Sequence, residues 1–151
     1  MKKLKVLLIM LAIFAVCYGF DLIKAQTVEL KVVSISEEPA EATPDKPVEI
    51  KVRLTAKGGA GIPDHNLYAI TQSGGSFKSY RVKTDANGDA TFIYYPYKLL
   101  SYQTPTDAIL EIRDESNSVF IEVYPTLELS IEMKPPADSE NGGFSNDSIF
   151  D

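Results

Sequence analysis

Residues 27–133 alternate apolar and polar side chains with a period of two, the pattern of strands that bury one face and expose the other. The clearest run is VEIKVRLT, whose apolar face consists of Val48, Ile50, Val52 and Leu54. Further runs follow the same rule: TVELKVVSIS, NLYAITQ, SFKSYRVK, DATFIYY, DAILEIRD, SVFIEVY and TLELSIEM. Turns rich in Gly, Pro, Asn and Asp separate them at roughly twelve-residue spacing. The pattern predicts an all-β fold, an antiparallel β-sandwich of seven to eight strands.

The same alternation predicts the core of the sandwich. We expect the inward face of VEIKVRLT to pack against apolar side chains of later runs, namely Phe92, Leu110, Ile112, Ile121 and Val123. Residues 134–151 have few apolar side chains and many acidic and small ones. This composition predicts a disordered acidic tail.

The N-terminal segment, residues 1–25, has a different pattern. Lys2, Lys3 and Lys5 precede an apolar run at residues 6–20, and the polar stretch DLIKA follows. A helix over that run would rise about 22 Å, less than the roughly 30 Å of a bilayer's hydrocarbon core. The pattern favours a secretory signal peptide that is cleaved near Ala25.

Three other readings of this segment remain open. Cleavage could follow Gly19, or Cys17 could be a lipid-carrying cysteine, although the bulky Val16 before it disfavours that processing. The segment could also stay attached as a signal-anchor over residues 4–23, its only contact with a membrane. In each case the lysines stay inside, so that everything after Gln26 is exported to the cell surface, the periplasm or the medium.

Composition narrows the functional classes. The 151 residues carry a net charge of −6 and form no basic cluster beyond the first five, which argues against a nucleic-acid partner. Cys17 is the only cysteine and lies in the N-terminal segment, so the exported part has no thiol chemistry. His65 is the only histidine, and we expect it to be solvated in the turn PDHN. We therefore expect no enzyme, no catalytic residue and no cofactor.

The stretch KTDANGDATF raises the question of a metal site. Asp85, Asn87 and Asp89 have the spacing of the first ligands of a calcium loop, but Ala90 and Pro96 stand where Gly and the closing Glu would be needed. Asn-Gly between two alternating runs is instead a hairpin signal. We expect a turn and no metal.

This turn also carries a family resemblance. TDANGDATFIYY, the upstream VEIKVRLTAKGGAGIPDHNLYAI and the downstream DAILEIRDESNSVFIEVY resemble bacterial immunoglobulin-like (Ig-like) domains of the invasin and intimin, or Big-1, type. The resemblance covers about residues 27–124. It implies an Ig-like sandwich that serves as a spacer or adhesive module of a surface protein, without catalytic residues.

Tyrosines crowd the segment IYYPYKLLSY and form the most distinctive surface feature. Tyr94 and Tyr95 should point to opposite faces of a strand. Tyr95, Tyr97 and Tyr102 could contact a ligand or partner, because tyrosine gives a large contact area at low entropic cost. The competing interpretation is that these rings close one end of the sandwich.

The segment TLELSIEM, residues 126–133, echoes TVELKV and has two interpretations. It is either a last edge strand of the same sandwich or, about one Ig-type repeat after TVELKV, the first strand of a second module. An exposed strand of this kind would pair on its own domain or with another chain. We favour pairing within the chain, because a lone apolar strand would aggregate.

The sequence thus predicts a non-catalytic exported Ig-like module of the bacterial cell surface, used for adhesion, spacing or assembly of an envelope structure. Its partner would be a protein. The alternative is an exported accessory domain that binds carbohydrate or another small ligand through exposed tyrosines.

Overall fold

The computed structural model describes residues 2–100 and 102–137. Most of the predicted tail lies outside the described residues. The helix α1 spans Lys2–Ala25. Within the described part of the chain it is the one helix that is long and apolar enough to cross a bilayer, a test that signal sequences also pass.

Ten strands follow α1 in the described part of the chain. They are β1 Val28–Ile35, β2 Ala40–Glu41, β3 Val48–Ala56, β4 Asn66–Thr71, β5 Ser76–Phe77, β6 Arg81–Lys83, β7 Asp89–Tyr95, β8 Ala108–Asp114, β9 Thr126–Ile131 and β10 Met133–Lys134. A short 3-10 helix at Glu115–Asn117 follows β8.

Two four-stranded antiparallel sheets form the sandwich, which confirms the predicted fold class. One sheet has the order β1-β3-β7-β5 and the other the order β6-β4-β8-β9. This is the strand arrangement of an Ig-type sandwich. The short strands β10 and β2 pair in parallel and close one side. β9 pairs with β8 of its own chain, in agreement with the prediction that residues 126–133 pair within the chain.

The core lies between the two sheets. The four inward side chains predicted on β3 are all buried, as are Phe92, Leu110 and Ile112 on the strands β7 and β8. β3 is central in its sheet, since it pairs with β1 on one side and β7 on the other. The prediction for this face is therefore confirmed.

Two parts of the strand prediction are wrong. The run SVFIEVY forms no strand, and Ile121 and Val123 do not belong to the buried core. This segment is the irregular loop between β8 and β9, in which Phe120 and Ile121 lie beside α1. The run SFKSYRVK is broken in two, because β5 pairs with β7 of one sheet and β6 with β4 of the other.

The two turns that carry the family resemblance pack against each other. The amide of Leu54 donates to the carbonyl of Gly88, and the amide of Ile62 donates to the carbonyl of Leu54. A Cβ on Gly61 would lie 2.0 Å from the carbonyl oxygen of Asn87. Only glycine allows so close an approach of two backbones.

The strand registers define two ends of the sandwich. Val28 pairs with Ala56 where β1 leaves α1, so the connections 57–65, 84–88 and 115–125 lie at this proximal end. The connections 36–47, 72–75 and 96–107 lie at the opposite, distal end. The tyrosine-rich segment is therefore on the far side of the domain from the helix.

Candidate functional site

The distal loop, residues 96–107, joins the two sheets and carries most of the predicted contact tyrosines. As predicted, Tyr94 and Tyr95 at the end of β7 point to opposite faces. Tyr94 is fully buried and its hydroxyl donates to the carbonyl of Gly74 at 2.8 Å, while Tyr95 is half-buried. Burial raises the pKa of the Tyr94 phenol. These two rings are part of the wall of the sandwich.

Tyr97 braces the distal loop. Its hydroxyl donates to the carbonyl of Thr106 at 2.7 Å and accepts from the amide of the same residue at 2.8 Å. The amide of Leu99 also donates to the carbonyl of Ala42 at 3.0 Å. For Tyr97 the geometry therefore agrees with the interpretation that its ring closes the end of the sandwich.

Tyr102 is the member of the set that the loop presents outward. It is 81% exposed, and Leu100 beside it is 42% exposed. A shallow groove runs along the same loop, and polar side chains line much of it, namely Ser73, Gln103, Thr104 and Thr106. An aromatic and an aliphatic side chain thus stand next to hydroxyl and amide groups on a braced loop.

The turn at residues 85–89 uses its carboxylates for internal contacts. Asp85 Oδ1 accepts from the amides of Asn87 at 2.8 Å and Asp89 at 3.0 Å, which confirms the predicted turn. Asp89 binds Arg53 at 2.5 Å and Lys51 at 2.9 Å on β3. The Arg53 and Lys51 hydrogen bonds hold the pKa of Asp89 well below its usual range. The described residues contain no cluster of three or more acidic, His or Cys side chains that could hold a metal.

His65 is not the solvated turn residue that the sequence suggested. Its Nδ1 lies 2.8 Å from Oδ2 of the fully buried Asp114, and its side chain is only 24% exposed. The pair lies at the proximal end, 49 residues apart in sequence. The nearby hydroxyl of Thr84 donates to the carbonyl of Ile62, and that of Ser116 accepts from the amide of Asn66. Neither hydroxyl is hydrogen-bonded to the imidazole. We therefore interpret the contact between His65 and Asp114 as structural.

A row of cationic and aromatic side chains on the outer face of the second sheet also escaped the sequence analysis. Arg81 and Arg113 lie over the ring of Tyr68 at 4.7 and 5.0 Å, and Arg113 also lies 5.3 Å from the ring of Tyr124. Glu115 binds Arg81 at 2.8 Å. This row joins strands distant in sequence, and no local motif marks it.

Asp21 of α1 forms the third feature that the sequence did not reveal. It is fully buried, and its carboxylate accepts from the amides of Val119, Phe120 and Ile121. The hydroxyl of Ser118 lies 3.2 Å from the same carboxylate. The signal that could have found this contact is an acidic residue in the last turns of an otherwise apolar helix.

Comparisons with known proteins give structural similarities alone. No family model and no curated protein matches the sequence. A C-terminal 282-residue fragment of intimin, solved in complex with the intimin-binding domain of the translocated intimin receptor, is 19% identical, with a TM-score of 0.48. The match covers 68% of this chain and 32% of that fragment.

The D00-D0 domain of intimin is 12% identical with a TM-score of 0.47, over 71% of this chain and 48% of that one. This chain therefore spans a third to a half of the structures that it resembles. Both are fragments of intimin, which belongs to the group of bacterial Ig-like proteins that the sequence motifs resemble.

Proposed function

We propose that this chain is an exported, non-catalytic Ig-like module of the bacterial cell surface that contacts a protein partner through its distal loop. The observation that carries the proposal is the position of Tyr102 and Leu100. Both are exposed at the end of the sandwich opposite α1. They therefore point away from the membrane or cell surface to which the helix would attach the domain.

Export is supported by the N-terminal segment. The first turns of α1 carry Lys2, Lys3 and Lys5 ahead of its apolar run, a pattern that keeps the N-terminus inside and sends the following domain out. A rigid domain on the outer side then presents its distal loop to the surroundings. The role is adhesion, spacing or assembly of an envelope structure.

The chemistry of the distal loop suits a protein surface. Tyrosine is enriched at the dry centre of protein interfaces, where a few such side chains supply most of the binding energy, and Leu100 adds apolar surface near Tyr102. The brace that Tyr97 makes with Thr106 holds the loop in place before binding, which lowers the entropic cost of association.

A photo-cross-linking experiment tests the protein contact. The full chain is expressed in its own host with a photoreactive phenylalanine derivative in place of Tyr102, and ultraviolet light is applied to intact cells. We expect a cross-linked protein adduct that is lost when Leu100→Asp is added. Tyr80, another exposed tyrosine (44%) outside the distal loop, is the matched control position. Adducts that are equal at the two positions, or absent at position 102, would refute the contact.

Carbohydrate binding is the second candidate, because hydroxyl and amide side chains line the groove beside Tyr97. A glycan array probed with the full chain in detergent separates the two functions. Binding that disappears in the variant Gln103→Ala and persists in Tyr80→Ala would favour carbohydrate over protein.

A further inference from the structure

The structure contains a contact between α1 and the domain that has no role in the distal loop. Asp21 Oδ1 lies 2.9 Å from the amide nitrogen of Val119, and Oδ2 lies 2.7 Å from that of Phe120 and also accepts from Ile121. Consecutive backbone amides that converge on one carboxylate form an anion-binding nest. Here the anion is a side chain of the helix itself.

The nest ties α1 to a loop that has no regular secondary structure. The segment 118–125 belongs to no strand, and its end is tied to β8 by a hydrogen bond from the amide of Asp114 to the carbonyl of Pro125. Loss of α1 by cleavage near Ala25 would leave three amides without their acceptor. It would also leave a loop with two large apolar side chains in water.

Those side chains are Val119 and Phe120, which are 54% and 60% exposed. Phe120 meets Phe20 of α1 edge-on, with ring centroids 5.5 Å apart. Together with Ile121 it also lines an apolar groove whose other wall is the helix face of Met10, Ile13, Phe14 and Cys17. The exposed apolar surface of the loop is thus continuous with that of the helix.

The helix needs a lipid environment along most of its length. Its large apolar side chains are exposed all round, as for Leu7, Leu11 and Ile13 at 58–65%. A helix that is apolar on every face is covered by protein or by lipid, and here Asp21 is the one side chain among the described residues of α1 that the domain buries. Residues 4–23 would span about 30 Å, the thickness of a hydrocarbon core.

In such an arrangement Asp21 lies about 3 Å inside the outer edge of the hydrocarbon core, next to the membrane interface. It lies four residues before the end of α1 at Ala25, about 6 Å along the axis. A charged group at this depth is tolerated, particularly when every oxygen is hydrogen-bonded. Amphipathic segments at the same level bury large apolar side chains roughly 5–10 Å into the headgroup and acyl boundary.

From these contacts we propose that α1 is a retained membrane anchor and that the loop Val119–Ile121 is a second contact with the same bilayer. The Asp21 carboxylate clamps the loop to the helix, so that Val119 and Phe120 dip into the outer interfacial layer. The clamp fixes the orientation of the sandwich relative to the membrane and directs the distal loop outward. The partner of this surface is the lipid itself, independent of what the distal loop binds.

Introduced tryptophans test the lipid contact, because the chain has none of its own. The full-length variants Phe120→Trp and Tyr102→Trp are reconstituted into phosphatidylcholine vesicles with brominated acyl chains. We expect fluorescence at position 120 to be quenched about twofold or more relative to position 102, as an interfacial depth requires. Val119→Trp serves as a second probe of the same loop. Quenching at both loop positions as weak as at position 102 would overturn the proposal.

Two further measurements test the clamp and the anchor. Asp21→Asn, combined with Phe120→Trp, should reduce quenching at position 120 while the protein stays in the vesicles. Asp45→Asn, a carboxylate at the distal end, should leave it unchanged. Unchanged quenching with Asp21→Asn would refute the clamp. The intact mass of the protein extracted from cell membranes should include residues 1–25, and a mature form without them would refute the retained anchor.

Discussion

The contact between the two glycine turns gives the sharpest stability prediction. Gly88 has a φ of 79°, and a Cβ added to it would lie 2.3 Å from the carbonyl oxygen of Leu54. Gly88→Ala therefore combines a left-handed backbone with a backbone clash. We expect a loss of about 3 kcal/mol, of which about 1 kcal/mol comes from the backbone conformation and the rest from displacement of the neighbouring turn.

Two other glycines separate these causes. Gly59 has a φ of 86°, but nothing lies within 4 Å of an added Cβ, so Gly59→Ala should cost only the conformational part, about 1 kcal/mol. Gly61 has no positive φ, yet an added Cβ would lie 2.0 Å from the carbonyl oxygen of Asn87. Gly61→Ala should therefore cost about 2 kcal/mol through the clash alone.

Urea unfolding of the full chain in detergent, followed by tyrosine fluorescence and circular dichroism, measures the three losses. Tyrosine emission is usable because no tryptophan masks it. The order expected is Gly88→Ala, then Gly61→Ala, then Gly59→Ala. Equal losses for Gly88→Ala and Gly59→Ala would show that the two turns do not depend on their close packing.

Further predictions concern the core, pH and metal. Ile50→Ala on the central strand should cost about 2–5 kcal/mol in the same urea experiment, and a loss near zero would contradict the observed inward face. Asp89→Asn should cost about 1 kcal/mol at pH 7, because the partners Arg53 and Lys51 are partly exposed. Since the folded pKa of Asp89 is depressed, this stabilisation is present above about pH 4 and is lost as the pH falls further, so the variant should show a weaker loss in acid. A chelator should leave the melting temperature unchanged, and a calcium-dependent rise would contradict the turn.

Period-two alternation predicted the sandwich well where one face of a strand is dry. On β3 the apolar side chains at every second position are buried, and the charged side chains between them face the solvent, as the alternation in the sequence predicts. The same rule failed for SVFIEVY. Phe120 and Ile121 of this run lie beside α1 and not in the core between the sheets. A local pattern of apolar residues cannot distinguish these two environments.

The contacts missed by the sequence analysis join residues far apart in the chain. His65, directly before β4, pairs with the buried Asp114 at the end of the neighbouring strand β8, although the sequence alone suggested a solvated histidine. Asp21 lies about a hundred residues from the amides that bind it, in a segment whose sequence resembles a cleavable signal peptide. Such contacts could not be predicted from local sequence patterns, because the two partners become neighbours only in the folded domain.

Membrane anchoring at one end and an outward distal loop at the other form the central claim. Cysteine labelling in spheroplasts tests it, with Cys17→Ser as the background in which no other cysteine remains. A membrane-impermeant maleimide should label Tyr102→Cys rapidly, and should label Phe120→Cys only after detergent dissolves the bilayer. Equal labelling of both positions, or no labelling of position 102, would contradict the account.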